Sequence, residues 1–211
     1  MMPHHHPADE LLLDFATGAL AHVPRLVISG HLGSCPACRS IVAEAEAVGG
    51  ALLEASPLAS MHPDALAWAL ARTERPTPAP TAAFASPPDW ITVPNEVLRA
   101  AMRRRWAAPG VWVASVANGP GRARGYLLGV AAGMSVPRHT HRGSEMVCVL
   151  KGSYRDGEAL HGPGDFALND ETVDHRPVIT ADSDCVCIVA AEDALIPLDW
   201  VGRLFQPIVG I

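Results

Sequence analysis

The apolar positions of the chain fall into two textures. Between residues 8 and 71 they recur at helical spacing. Leu12, Phe15, Ala16 and Ala19 share one face of a first helix, with Asp9 placed to cap it. Gly18 gives no clear stop, because Leu20 extends the pattern. Pro24 suits the first turn of a second helix running to about His31 and Gly33. A third starts near Pro36, carries Ile41, Val42, Ala45 and Val48, and ends at Gly49-Gly50 or slightly later. Ser60 to Arg72 reads as a fourth, with Pro63 near its start and Leu66, Trp68, Ala69 and Leu70 following. From Trp90 onward, short apolar runs alternate with Gly, Pro, Asn and Asp: Val111–Val116, Gly125–Val130, Glu145–Leu150, Asp165–Leu168, Pro177–Thr180 and Cys185–Ala190. That rhythm marks an antiparallel sandwich or barrel.

Between the two textures, Pro76, Pro78, Pro80, Pro87 and Pro88 are separated by Thr, Ala and Ser, a composition that favours extended polyproline geometry. The chain therefore reads as α + β in two domains. A small all-α helical domain spans 1–74, a Pro-rich linker 75–88 and an antiparallel β-barrel 89–211.

Composition narrows the function classes. With 49% apolar and 18% charged residues the chain can bury cores. A net charge of −6 argues against a nucleic-acid binder, and the short cluster Arg103-Arg104-Arg105 beside Trp106 reads as a solvated face. Residues 1–75 hold eight acids against four bases, net −4, a surface that suits a basic partner or plain solubility. The early run Leu11-Leu12-Leu13 is ended by Asp14, so no secretory signal is read, and no stretch is long enough to cross a bilayer. A cytoplasmic protein is expected. In a reducing compartment, the odd number of cysteines, five, favours metal ligation or burial over a disulfide framework.

The first candidate site is His31-x3-Cys35-x2-Cys38. Cys-x2-Cys brings two thiolates within reach of one ion, and a His four residues earlier lies one helical turn back on the same face. Imidazole with thiolate suits tetrahedral zinc. The fourth ligand is open among His4, His5, His6, His22 and His62, of which His6 sits just before the first helix and can fold back. A redox dithiol is the competing reading of Cys35 and Cys38, although no thioredoxin-like strand precedes them.

The second is Gly133-x5-His139-x-His141-x3-Glu145-x6-Gly152, which resembles the first cupin motif at every fixed position. Two His two apart on an extended segment face one side, and Glu145 returns on the next strand after the Arg142-Gly143-Ser144 turn. His175, downstream of the Gly162-Pro163-Gly164-Asp165 turn, is placed to complete the set. The second cupin motif is degenerate: Asp170 and Thr172 stand where Pro and Gly are usual, and Ile179 where Asn is. His161 reads as a loop surface residue. Cys185 and Cys187 share one strand face, either as buried small hydrophobes or as a redox pair, and Cys148 sits among apolar neighbours.

His6, the following Asp-Glu-Leu-Leu, the His-Cys-Cys motif and its helix resemble zinc-containing anti-sigma factors. With the Pro-rich linker and the cupin behind them, the whole chain, down to the terminal Phe-Gln-Pro-Ile, is similar to the ChrR family. That resemblance implies His6, His31, Cys35 and Cys38 as one zinc set and His139, His141, Glu145 and His175 as a second. Two zinc ions per chain are thus expected, although a His3Glu set also suits other divalent transition metals. It further implies a cytoplasmic regulator that sequesters an extracytoplasmic-function sigma factor and releases it under singlet oxygen or organic peroxide. No catalytic residue is assigned. The alternative is a metal-dependent cupin enzyme such as a dioxygenase, with the zinc module serving assembly, although a plain cupin oxygenase would not require such a module.

Overall fold

The computed structural model describes residues 2–73 and 92–198. The expected linker, its two boundaries, Trp90 and the terminal Phe-Gln-Pro-Ile lie outside the described residues.

Four helices come first: α1 (Asp9–Thr17), α2 (His22–Ser34), α3 (Pro36–Glu54) and α4 (Ala65–Thr73). Two details of α1 differ from the sequence expectation. Ala8, not Asp9, takes the N-cap position, and Asp9 with Glu10 occupies the first turn, where an acid faces the positive end of the helix dipole. Gly18 does end the helix: it adopts φ 78°, a left-handed conformation open to glycine, and Leu20 belongs to the loop beyond. A short helix, α5 (Asn95–Ala101), follows Pro94 and was not foreseen. Its single apolar face, Val97 and Ala100, is buried but too short to register as a period.

Among the described residues eleven strands follow. The large sheet has the order β1-β2-β3-β10-β5-β8, made of β1 (Arg105–Ala108), β2 (Val111–Asn118), β3 (Arg124–Val130), β10 (Cys185–Ala191), β5 (Glu145–Lys151) and β8 (Phe166–Asn169). Two smaller sheets accompany it: β7 (Ala159–His161), β6 (Tyr154–Asp156) and β9 (Val178–Ile179); and β11 (Ile196–Pro197) with β4 (His139–Thr140). Every pairing is antiparallel, and the architecture is the expected helical region followed by a cupin barrel.

The central strands carry almost no polar residues because both of their faces are buried. On β10, Cys185, Cys187, Val189 and Ala191 point into the barrel interior with Val147, Val149, Tyr154 and Ile179. Val186, Ile188 and Ala190 point the other way, to a core shared with the helices. Cys148 and Leu150 of β5 join that second face, and α2 lies on it with Val23, Leu26, Val27 and Ile28 buried. Gly30 of α2 faces this core, where a Cβ would stand at ordinary contact distance, 3.5 Å, from Cys148 Sγ and from Leu150. Burying each aliphatic side chain of this kind contributes about 1.5–3 kcal/mol, so α2 is fixed to the barrel as firmly as to its helical neighbours.

Candidate metal centres

The first cluster forms at the corner between α2 and α3. Cys35 is at once the C-cap of α2 and the N-cap of α3, and its Sγ accepts the Cys38 backbone N–H at 3.5 Å. Pro36 fixes the first turn of α3, so Cys38 returns to the same side one turn on. His31 lies in the last turn of α2. His6 folds back from the N-terminal segment, its Nδ1 3.4 Å from Cys35 Sγ and 3.5 Å from Cys38 Sγ. One ligand atom of each of the four lies within 4.8 Å of the others. The other His candidates go elsewhere: His22 pairs with Glu96, His62 stacks on Trp68, and the backbone N–H groups of His4 and His5 bind Asp165.

Two observations test whether a cation fits here. His31 is fully buried and its Nδ1–H donates to the Gly164 carbonyl at 2.7 Å, which leaves Nε2 as a lone pair. That Nε2 has no hydrogen-bond partner. A buried unpaired acceptor is costly, and a metal ion satisfies it. Burial also disfavours the charged forms: it lowers the His31 pKa and, with Cys35 adding to it, raises that of Cys38. A cation reverses this for the thiols, since it binds the thiolate and drives off the proton.

The second cluster lies in the barrel. His139 is on β4, His141 just beyond it, Glu145 at the start of β5, and His175 is bridged to His139 backbone to backbone. The residues converge, with His175 Nε2 3.0 Å from His139 Nε2 and 3.2 Å from His141 Nε2, and His141 Nδ1 3.6 Å from Glu145 Oε2. The tautomers follow from the outer partners. His139 Nδ1–H donates to the Pro137 carbonyl at 2.8 Å, and His175 Nδ1–H donates to Asp156 Oδ2 at 2.6 Å. Both Nε2 atoms therefore present lone pairs to one another, an arrangement that calls for a cation between them. Burial holds His139 and His141 down at about 4, in the neutral form a metal binds. It pushes Glu145 up to about 7, opposed by hydrogen bonds donated by Asn169 Nδ2 and the Tyr126 hydroxyl, each 3.4 Å long.

Asp156, Tyr126 and Asn169 were not found from the sequence, and nothing in their spacing marks them. His161 departs from the surface role expected of it. It is 8% exposed and stacks between His5 and Tyr154, at centroid distances of 4.2 and 4.8 Å. Cys185 and Cys187 share a face as expected, with sulfurs 3.8 Å apart. Cys148 is on the opposite face. Arg103 to Arg105 with Trp106 are exposed, as a solvated face would be. The cavity beside the barrel cluster, lined by Tyr126, Val147, Tyr154, Cys187 and Val189 among others, has a volume of about 60 Å³.

The chain is similar to known proteins over nearly its whole length. The family described as ChrR Cupin-like domain matches residues 86–194. The anti-sigma-E factor ChrR of Cereibacter sphaeroides is 34% identical over 206 residues, covering 96% of each chain. The crystal structure of Rhodobacter sphaeroides SigE in complex with the anti-sigma ChrR superposes with a TM-score of 0.74 at 31% identity, over 90% of this chain and 100% of that one.

Proposed function

We propose, since the chain belongs to the ChrR family, that it is an anti-sigma factor that sequesters an extracytoplasmic-function sigma factor. One observation on this chain carries the reading. The second half of α3 and all of α4 leave their apolar residues without cover: Val48, Leu52, Leu53, Leu66, Trp68 and Leu70 are all more than half exposed. No residue of α4 is buried at all. An exposed apolar surface of this kind marks a site where a partner docks. The relatives name that partner: ChrR is an anti-sigma-E factor, and its crystal structure is that of a complex with SigE.

In this reading residues 1–74 form the sigma-binding domain, 75–88 a linker and 89–211 the barrel. The N-terminal cluster of His6, His31, Cys35 and Cys38 holds zinc, to which its two sulfurs and two imidazoles are matched. Zinc supplies the cross-link that a module this small needs in order to keep its helices together. His139, His141, Glu145 and His175 hold a second divalent ion, zinc or another transition metal. The barrel serves as the sensor through which oxidative stress, singlet oxygen or an organic peroxide, ends sequestration. Among the described residues no single helix is long and apolar enough to cross a membrane, and the protein acts in the cytoplasm, where the sigma factor meets polymerase. The enzyme reading loses ground on size. Pockets for organic substrates measure roughly 300–1,000 Å³. The cavity of about 60 Å³ beside the barrel cluster admits oxygen or a few waters instead.

The test is a pull-down of the full chain from its native cell, followed by transcription with the recovered sigma factor. An extracytoplasmic-function sigma factor should co-purify, and its transcription should fall on adding the chain. Recovery of no sigma factor, with no effect on any such holoenzyme, would sink the reading.

A further inference from the structure

The loop between β7 and β8 belongs to the barrel, yet it grips the N-terminal cluster from two sides. Gly164 supplies the carbonyl that accepts the His31 Nδ1–H bond and so aims Nε2 at the cysteines. Asp165 is 3% exposed, and its Oδ1 accepts the backbone N–H groups of His4 at 2.6 Å and His5 at 2.9 Å, while Oδ2 accepts Gly162 N–H at 2.7 Å. The next residue, Phe166, donates its backbone N–H to the His5 carbonyl at 3.0 Å. His5 is thus tied to the barrel through both its backbone groups, and the residue that follows it is His6.

The fit is close. Gly164 has φ +90°, and a Cβ there would come within 2.8 Å of both Pro3 and Ser34, the latter at the end of α2. The ring of His5 continues into His161 and then Tyr154, which lines the barrel cavity. Two residues on from Tyr154, Asp156 holds His175. A buried carboxylate whose acceptors are occupied by three backbone donors has a role that no apolar contact supplies: it fixes where the chain runs.

We infer that the 162–165 loop is the positioning element of the N-terminal cluster, with Asp165 placing His6 and the Gly164 carbonyl orienting His31, so that metal retention by Cys35 and Cys38 depends on the barrel. This rests on the reading of that cluster as a metal site. It makes the barrel a support of the site in the sigma-binding domain, and it gives a change inside the barrel a short route to the cysteines.

The test uses the full chain loaded with cobalt(II). A thiolate-to-cobalt charge-transfer band reports the N-terminal cluster, because the barrel cluster of His139, His141, Glu145 and His175 contains no sulfur ligand. Loss of the band to excess chelator is timed for the parent chain and for Asp165→Asn, which keeps the size but not the charge. Outer partners of metal ligands are worth about 10- to 100-fold in metal affinity, so release should quicken by about tenfold or more. His4→Pro removes one of the two N-terminal donors from a residue outside the barrel, so it leaves barrel folding alone and should quicken release by a smaller factor. Release within twofold of the parent in both variants overturns the positioning role while leaving the metal site standing. A parent chain with no such band overturns the metal site and this inference with it.

Discussion

The two clusters are supported in opposite ways. The N-terminal one takes three of its four residues from eight consecutive positions around one helix corner, and borrows its orientation from outside, from the Gly164 carbonyl and Asp165. The barrel one likewise takes three of its four residues from a short stretch, positions 139–145, with His175 bridged to it, but its supporting partners Pro137, Asp156, Tyr126 and Asn169 all belong to the barrel itself. A self-supported site on rigid strands holds its geometry whatever happens to the helices. A site at a helix corner, supported from elsewhere, shares its fate with the helices it joins. The contrast suits the proposed division of labour, in which one metal would maintain a partner-binding surface and the other would belong to a sensor.

Removing each cluster in turn tests that division most sharply. Cys35→Ser with Cys38→Ser takes both sulfurs from the corner, and sigma-factor capture should fall by at least about 100-fold, since structural zinc supplies much of the folding free energy of small modules. The barrel metal should stay. His139→Ala with His141→Ala should do the reverse: the barrel metal is lost, capture stays within about threefold, and release by oxidant disappears, with the fold of capture tracking one metal only. Affinity measured on immobilised sigma factor, beside metal content of each variant, checks both. Capture retained by the cysteine pair variant would remove zinc from the mechanism.

A smaller effect is expected from the exposed apolar face. Trp68 is 54% exposed, with the His62 ring stacked on it at 4.5 Å. Trp68→Ala should leave thermal stability nearly unchanged and weaken capture by about 2 kcal/mol, roughly thirtyfold, as a central interface Trp does. Leu12→Ala, in the buried core of α1, is the control with the opposite profile: a large loss of stability, about 2–5 kcal/mol. If Trp68→Ala lowers stability and spares capture, α4 is packed in the free protein and the sigma factor binds elsewhere.

What the sequence disclosed follows the same divide. The gathering of His31, Cys35 and Cys38, and of His139, His141 and Glu145, was legible because helix and strand periods turn fixed spacings into shared faces. The buried doublets of β5 and β10 were legible as apolar runs. What aims those residues was not legible. Asp156, Asn169 and Asp165 act through contacts 19, 24 and more than 130 positions away in sequence, and a polar residue in a short strand or turn looks the same whether it supports a ligand or faces water. His161 was misplaced for that reason: its burial comes from the N-terminal segment folding over it. The helix-facing side of the sheet was hidden too, since alternation cannot say which of two apolar faces meets a barrel interior and which meets α2.

The finest distinction between the clusters is in their protons. Metal uptake must displace any proton that a ligand still carries. In the barrel, His139 and His141 titrate at about 4 and Glu145 at about 7, all pulled by burial. At pH 8 these three are already in ligand form, so uptake should release almost no proton from them. At pH 6 the Glu145 carboxyl holds its proton, and about one should be released. At the N-terminal corner the buried Cys38 thiol is held above its ordinary range and keeps its proton at both pH values. Uptake there should release about one proton or more at pH 8 as well as at pH 6. Lowering pH therefore weakens the corner site over the whole interval, and the barrel site only below about 7. Zinc added to weakly buffered single-cluster variants with an indicator dye reads both numbers directly. Two protons released at pH 8 by the variant that keeps only the barrel cluster would mean that its imidazoles are charged when empty, and the lone pairs facing each other between His139 and His175 would have to be read as a shared proton instead of a waiting metal site.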